Sequence, residues 1–327
     1  MNALLRRGAA VLCLLAAVVS CKGKSGDQTG AASAASTGQY KFAFVTNNSS
    51  EFWNIAVKGV NKAEKDLGVK VEVFRPLHGE VAEQQRYLED ILVLGFDGMA
   101  ISPVNAEAMT PELNRIAEKM SVVCQDSDAP NSKRRTYVGT KNIEAGRAAG
   151  AAAVAALQAA GISKGKAGIF VGRVDMQNAV ERKQGVEEAL TKAGLEVLPV
   201  FLDGTDRAKA KKNIEDALAR YPDLVLAVGL WSYNGPAIAG AIRASSREKR
   251  PVIIAFDEEE ETLKAIEGGV IDATIVQQPF EFGYQSVKIL KDAKDGKPVP
   301  ASVDTGIVTV KKDNLTDFWN KLRELKK

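Results

Sequence analysis

From Tyr40 onward, short apolar runs alternate with longer amphipathic stretches, and the rhythm then starts again. Lys41–Thr46 reads as a strand, Phe52–Leu67 as a helix with Ile55, Val60, Ala63 and Leu67 on one face, and Gly68 stops it. Val69–Phe74 is a strand, Glu80–Leu94 a helix, Gly98–Ser102 a strand, Glu107–Lys119 a helix and Ser121–Cys124 a strand. The second set opens with an alanine-rich helix over Ile143–Ala160. Strands follow at Lys166–Val171, Glu196–Phe201, Leu224–Val228 and Val252–Phe256. Between them lie helices at Asn178–Ala193, Arg207–Arg220, Pro236–Arg243 and Glu259–Ile266. Strand–helix alternation at this spacing predicts parallel sheets with right-handed crossovers and helices on both faces. Two such sets in tandem predict an α/β molecule of two similar, doubly wound lobes. In open sheets of this kind ligands sit beyond the carboxyl ends of the strands, so facing lobes would enclose a cleft.

The N-terminus predicts where the chain works. Met1–Ala10 carry Arg6 and Arg7 and no acid, Val11–Val19 are apolar, and Ser20 precedes Cys21. A basic start, a brief hydrophobic run and a small residue before the cut make an export signal. The run is shorter than the about 20 residues that span a bilayer. Val18-Val19-Ser20-Cys21 looks like a bacterial lipobox, with 1–20 removed and Cys21 acylated; the alternative is an ordinary cleaved signal and an incidental cysteine. Residues 21–39 would then be an acylated cysteine and a flexible Gly/Ser/Ala linker. The expected place is the cell envelope or periplasm, tied to a membrane by lipid.

Charge and scarce residues exclude several classes. The formal charge is +3; without Arg6 and Arg7 it becomes 3 − 2 = +1. That is no footprint for nucleic acid, which calls for clustered Lys/Arg. Of three cysteines only Cys124 stays in the folded part, so no intrachain disulfide is available, and buried packing is its expected role. His78 is the single histidine, which leaves little material for a zinc site. No cofactor or metal is expected. There is no G-x-S-x-G, P-loop or HExxH, so an enzyme is not expected. Asp126 and Asp257 would suit a glycosidase only at about 5–10 Å separation with one raised pKa.

The strand ends carry one chemistry. Ser50, Phe52 and Trp53 follow the first strand, and Asp126 the fourth. Asn178 and Arg182 follow the strand ending at Val171. Trp231 and Asn234 follow Leu224–Gly229, Asp257 follows Phe256, and Gln277 follows Val276. Carboxylates, amides and a guanidinium match hydroxyls that both donate and accept, while aromatic rings match the apolar C–H faces of a sugar. Each residue also has a plainer role; Asp257 would serve equally as a helix N-cap.

With these motifs in view, the chain from about 40 to 312 resembles the periplasmic sugar-binding proteins of ABC importers, in the ribose-binding (type I) group. Thr46–Trp53 is similar to that family's first segment, where two consecutive aromatics stack on the sugar; Glu51 stands where a proline is common. Val122–Asp126 is similar to the strand ending in a sugar-binding aspartate, with Ser127 in place of the usual arginine. Counting back from Gly185, the family's arginine position falls on Val180; Asn178 and Arg182 share that helix start, and which of the three fills the role stays open. Asn234 is similar to the family's binding asparagine, and Ile254–Asp257 and Asp272–Pro279 match its last two segments.

The resemblance implies a three-segment hinge with crossings near 126–142, 257–278 and 302–308. It implies an N-terminal lobe of 40–126 plus 278–304, including a returning helix over Phe280–Lys294, and a C-terminal lobe of 127–277 plus 305–312. It also implies a monosaccharide ligand, an ABC permease in the inner membrane as partner, and a monomer. A sugar-responsive repressor shares the bilobed domain but needs a helix-turn-helix before Tyr40. A sensor lipoprotein that presents its ligand to a receptor is the other alternative. Residues 313–327 extend past the family's usual end; Leu315, Phe318, Trp319, Leu322 and Leu325 lie at helical spacing and are expected to dock on a lobe or to form a partner surface.

Overall fold

The structure, a computed structural model, describes residues 39–50 and 52–326. The expected leader, Cys21 and the linker up to residue 38 lie outside these residues. The first lobe runs β1 (Lys41–Val45), α1 (Phe52–Leu67), β2 (Lys70–Phe74), α2 (Val81–Val93), β3 (Gly98–Ile101), α3 (Ala106–Ala117), β4 (Ser121–Gln125) and β5 (Thr136–Gly139). The second runs α4 (Asn142–Ala159), β6 (Lys166–Val171), α5 (Gln177–Lys192), β7 (Glu196–Val197), β8 (Phe201–Leu202), α6 (Arg207–Arg220), β9 (Leu224–Gly229), α7 (Asn234–Ala244), β10 (Val252–Phe256), α8 (Glu260–Glu267) and β11 (Ala273–Val276). The chain then passes through α9 (Pro279–Lys294), β12 (Ser302–Asp304), β13 (Val308–Val310) and α10 (Leu315–Lys326).

One sheet has the order β12-β5-β4-β3-β1-β2, all parallel. The other has β13-β11-β10-β9-β6-β7, with β8 also on β6; only the β13 edge is antiparallel. Both are covered on two faces, as parallel sheets require. In β1, Phe42 and Phe44 pack toward α1 and α9, while Ala43 and Val45 pack toward α2 and α3. In β6, Phe170 faces α6 and α7, and Ile169 and Val171 face α4 and α5. The doubly wound, two-lobed α/β architecture is therefore as expected.

Two details differ from the sequence reading. β5 pairs with β4 and β12, so residues up to Gly139 belong to the first sheet, and the boundary expected at 126 moves to the segment after Gly139. The reason is local: β5 carries only two apolar side chains and is preceded by Lys133-Arg134-Arg135, so its strand signal is faint. Arg134 clamps the Asp128 carboxylate through Nε and Nη2, folding the intervening loop so that β5 meets β4. The strand expected over 196–201 is broken into β7 and β8, because Pro199 has no N–H to give the ladder.

The lobes are joined at 140–141, 277–278 and 305–307. Thr305 N donates to Gly139 O at 3.0 Å, tying the first and third connections together. Each lobe also receives a helix from the other: α4 follows β5 into the second lobe and packs on α5, and α9 follows β11 into the first and packs on α1. Both docked pairs meet through glycines. A Cβ on Gly59 would lie 2.0 Å from Phe280 O, and one on Gly283 2.0 Å from Ala56 O. A Cβ on Gly146 would lie 2.2 Å from Arg182 O, and one on Gly185 2.3 Å from Ile143 O. Helix α10 docks on both lobes. It touches α1 and α8, and Leu315 and Leu322 are buried in a core cluster that also takes in Ile55 of α1.

Candidate functional site

A cavity of about 1000 Å³ lies between the lobes, at the carboxyl ends of the strands. The first lobe contributes Ser50, Phe52, Trp53 and Asp126; the second contributes Asn178, Arg182, Trp231 and Asp257, with Gln277 at a crossing. Nine sequence-predicted residues thus come together.

The turn after β1 and the start of α1 supply the aromatics. Trp53 is 1% exposed, packs edge-on to Phe44 (6.3 Å between centroids) and Phe52 (5.2 Å), and still borders the cavity. Its Nε1 is buried and has no hydrogen-bond partner. Across the cleft, Trp231 and Tyr233 form an edge-to-face pair at 6.3 Å, and Trp231 Nε1 likewise has no partner. Buried indole N–H groups normally find an acceptor.

The two aspartates end β4 and β10 in the left-handed region, at φ 59° for Asp126 and 63° for Asp257. Among the described residues only Thr205 (φ 69°) joins them as a non-glycine residue there, and all three border the cavity. Strain of this kind costs about 1–3 kcal/mol and collects at functional sites. Asp126 Oδ2 accepts from Ser102 Oγ (2.9 Å) and Asn47 Nδ2 (3.2 Å); Asp257 Oδ1 accepts from Gln277 Nε2 (3.0 Å). Burial raises the pKa of both carboxyls, while the Arg182 charge and these hydrogen bonds oppose the rise; Asp126 settles at about 6.

Along the first turns of α5, Asn178 and Arg182 face the cavity and Val180 does not. Val180 is 42% exposed and does not border the cavity, whereas Arg182 is 1% exposed and does. Arg182 Nε donates to Asn142 Oδ1 (2.9 Å) and Nη1 to Leu230 O (3.0 Å), with the guanidinium 4.7 Å over the Phe256 ring. Its Nη2 has no partner. Asn178 Nδ2 donates to Ser127 Oγ at 3.2 Å, linking the two lobes where the family's usual arginine is replaced; its Oδ1 has no partner.

Asn234 departs from expectation. It does not border the cavity, and both ends of its amide are used: Oδ1 accepts from Trp231 N (3.0 Å), and Nδ2 donates to Asp203 Oδ2 (3.1 Å). It sits at the first turn of α7, where the helix direction turns its side chain back beneath the β9 loop. It holds the Trp231 backbone in place through that hydrogen bond. Asp203 and Thr205 escape the sequence reading, because the strand expected over 196–201 is broken and ends at Leu202. The Asp203-Gly204 pair after Leu202 was the available signal. Among the described residues no group of three or more His, Cys, Asp and Glu side chains is placed to hold a metal.

A two-lobed α/β frame with a polar, aromatic-walled cleft at its hinge defines a solute-binding protein. The family profile described as "Periplasmic binding protein domain" matches residues 42–298, and the chain belongs to this family. It is 26% identical to the D-allose-binding periplasmic protein of Escherichia coli over 77% of this chain and 84% of that protein. It is 27% identical to the ribose import binding protein of Haemophilus influenzae over 75% and 83%. Among solved structures it is similar to a solute-binding protein from Burkholderia graminis in complex with D-arabinose (TM-score 0.80, 28% identity, 85% of this chain and 96% of that chain). It is also similar to a glucose-galactose binding protein from Geobacillus stearothermophilus (TM-score 0.80, 29%, 85% and 99%). By name these relatives are sugar- or solute-binding proteins, the Burkholderia graminis one of an ABC transporter, and the family is a periplasmic one.

Proposed function

We propose that the protein captures a monosaccharide (a pentose, a hexose or a related polyol) between its lobes and delivers it to an ABC import permease in the inner membrane. The observation that carries this is a set of buried polar atoms without partners: Trp53 Nε1, Asn178 Oδ1, Arg182 Nη2, Trp231 Nε1 and Gln277 Oε1. All belong to cavity-lining residues, and they come from both lobes and a crossing. A buried polar atom left unpaired costs about 1–3 kcal/mol. A ligand with hydroxyls on every side satisfies donors and acceptors alike, and its C–H faces suit Trp53 and Trp231. The allose-, ribose- and arabinose-binding relatives support the sugar class.

Capture proceeds by hinge closure. A ligand that reaches Trp53 and Asp126 on one side and Arg182, Trp231 and Asp257 on the other gains contacts available only when the lobes meet, so it stabilises that state. We further propose that Cys21 carries a lipid anchor and that the protein acts as a monomer. Cys21→Ser should release it from the membrane fraction; a variant still retained there would exclude the anchor.

The test is a thermal-shift screen against monosaccharides, polyols and nucleosides. A ligand binding only the folded form at a hundredfold excess over its Kd adds about 2.7 kcal/mol of stability. One sugar should raise the midpoint, and Asp257→Ala should abolish the rise. A shift with nucleosides alone, or with nothing, would refute the sugar reading.

A further inference from the structure

The cavity extends beyond the residues that hold the unpartnered atoms. Its more exposed end is walled by Thr205, Arg207, Tyr233 and Glu259 of the second lobe. This wall is built on a carboxylate behind it. Asp203 is 2% exposed and accepts from the Tyr233 hydroxyl (2.5 Å), Thr205 N (2.9 Å) and Asn234 Nδ2 (3.1 Å). Burying a carboxylate is costly unless it is hydrogen-bonded, and here every one of those donors belongs to the wall or its support. The result is a fixed Tyr233 ring and a fixed Thr205 turn, the latter held at φ 69°.

Gly172 makes room for this arrangement. A Cβ there would lie 2.1 Å from Trp231 Cζ3 and 2.6 Å from the Tyr233 hydroxyl oxygen. Arg207 stands 5.5 Å over the Tyr233 ring and donates to both Glu259 oxygens, Nη1 at 3.1 Å and Nη2 at 2.8 Å. The guanidinium keeps further N–H donors and the carboxylate further lone pairs for a ligand. Aromatic ring, guanidinium and carboxylate repeat, at the exposed end, the chemistry of the buried end. The whole cavity, about 1000 Å³, stands at the top of the roughly 300–1,000 Å³ range of small-molecule sites, more than a single sugar ring fills.

We infer that Tyr233, Arg207 and Glu259 form a second sugar subsite, and that the preferred ligand is a disaccharide or glycoside. One ring takes the buried end and the second lies against Tyr233. The inference rests on the reading of the cleft as a sugar site and extends it from one ring to two.

The test is calorimetric titration of the full-length protein with D-glucose, D-galactose, D-allose, D-ribose and D-arabinose, and with cellobiose, maltose, lactose and melibiose. At least one disaccharide should bind about tenfold more tightly than either of its component sugars, the scale of a stacked face and one or two added hydrogen bonds. Arg207→Ala, a change at an exposed side chain, should remove most of that difference while monosaccharide affinities hold. Tyr233→Phe, which keeps the ring but frees Asp203, should weaken the disaccharide selectively as well. Monosaccharides binding as well as any disaccharide, or Arg207→Ala weakening both classes equally, would overturn the second subsite and leave the sugar reading standing. Absence of binding by every sugar would overturn both.

Discussion

Gly59→Ala tests whether the docked helix pair is as tight as the structure makes it. The new Cβ would lie 2.0 Å from Phe280 O and 3.0 Å from Tyr284 N, both backbone atoms that no rotamer change can move. A carbon meets a carbonyl oxygen at about 3.3 Å, so α1 and α9 would have to part by about 1.3 Å. That gap opens against fully buried Ala56, Val60 and Ala63 of α1 and Phe282, Val287 and Leu290 of α9. A radial gap of half to one ångström already forfeits about a quarter to a half of a contact's attraction. Overpacking costs about 1–3 kcal/mol, sometimes more, and the gain in helix propensity returns about 1 kcal/mol. The expected net loss is about 1–2 kcal/mol, the upper half of that difference, because both clashing atoms are backbone. Gly240→Ala is the matched control: it also sits in a helix, α7, but nothing lies within 4 Å of its Cβ position. It should stabilise by about 0.5–1 kcal/mol. Urea unfolding of both variants beside wild type reads the difference. Gly59→Ala unfolding at the wild-type midpoint, or both variants shifting in one direction, would refute the close-docking argument.

Further outcomes follow from the same geometry. Because burial raises the folded-state pKa of Asp126 from 3.8 to about 6, the native protein holds a proton there that the unfolded chain has lost. The ligand-free protein should therefore lose on the order of 3 kcal/mol as pH rises from about 4 to 6. Asp126→Asn should flatten that part of the stability–pH curve; an unchanged curve would show that another group governs it. Ligand binding should run the other way, weakening as pH falls through about 6, because protonated Asp126 offers one acceptor fewer to a hydroxyl. Asn234→Ala, at a position that does not border the cavity, should weaken binding by about 1 kcal/mol through a loosened Trp231 and leave Asp203 a donor short; unchanged affinity would mean that Trp231 is held by packing alone. Leu322→Ala, at a 3% exposed position on α10, should cost about 2 kcal/mol in denaturant unfolding, near the low end for a buried leucine. A cost near zero would mean that α10 is only loosely docked.

The architecture was legible because strand and helix periods differ, and both lobes repeat the alternation cleanly. The site was legible for a related reason: in a parallel sheet every strand delivers its next residues to the same edge, so reading past the strand ends finds the cleft. What escaped followed from weak or conflicting local signals. β5 has two apolar side chains behind a basic run, and only its pairing with β4 reveals it. Asn178, Val180 and Arg182 lie within little more than one helical turn, and the sequence does not show which face meets the cleft; packing of α5 on α4 turns Asn178 and Arg182 toward it and Val180 away. Asn234 had the right residue type in the right place, but its amide is consumed by Trp231 N and Asp203. The positive φ of Asp126, Asp257 and Thr205 is imposed by the tertiary frame.

In the proposed closure the last helix would set the mechanics. Two bodies joined by three chain segments along one edge can bend toward each other, but they can also twist and slide. Helix α10 adds a non-covalent seam, gripping α1 on one body and α8 on the other through Leu315, Leu322 and the cluster that includes Ile55. A seam that stays seated on both bodies permits rolling about its own line and resists torsion across it. The number of soft coordinates falls toward one. The rim that the two lobes present together then has a reproducible outline each time they meet, which is what a partner reading both lobes at once requires.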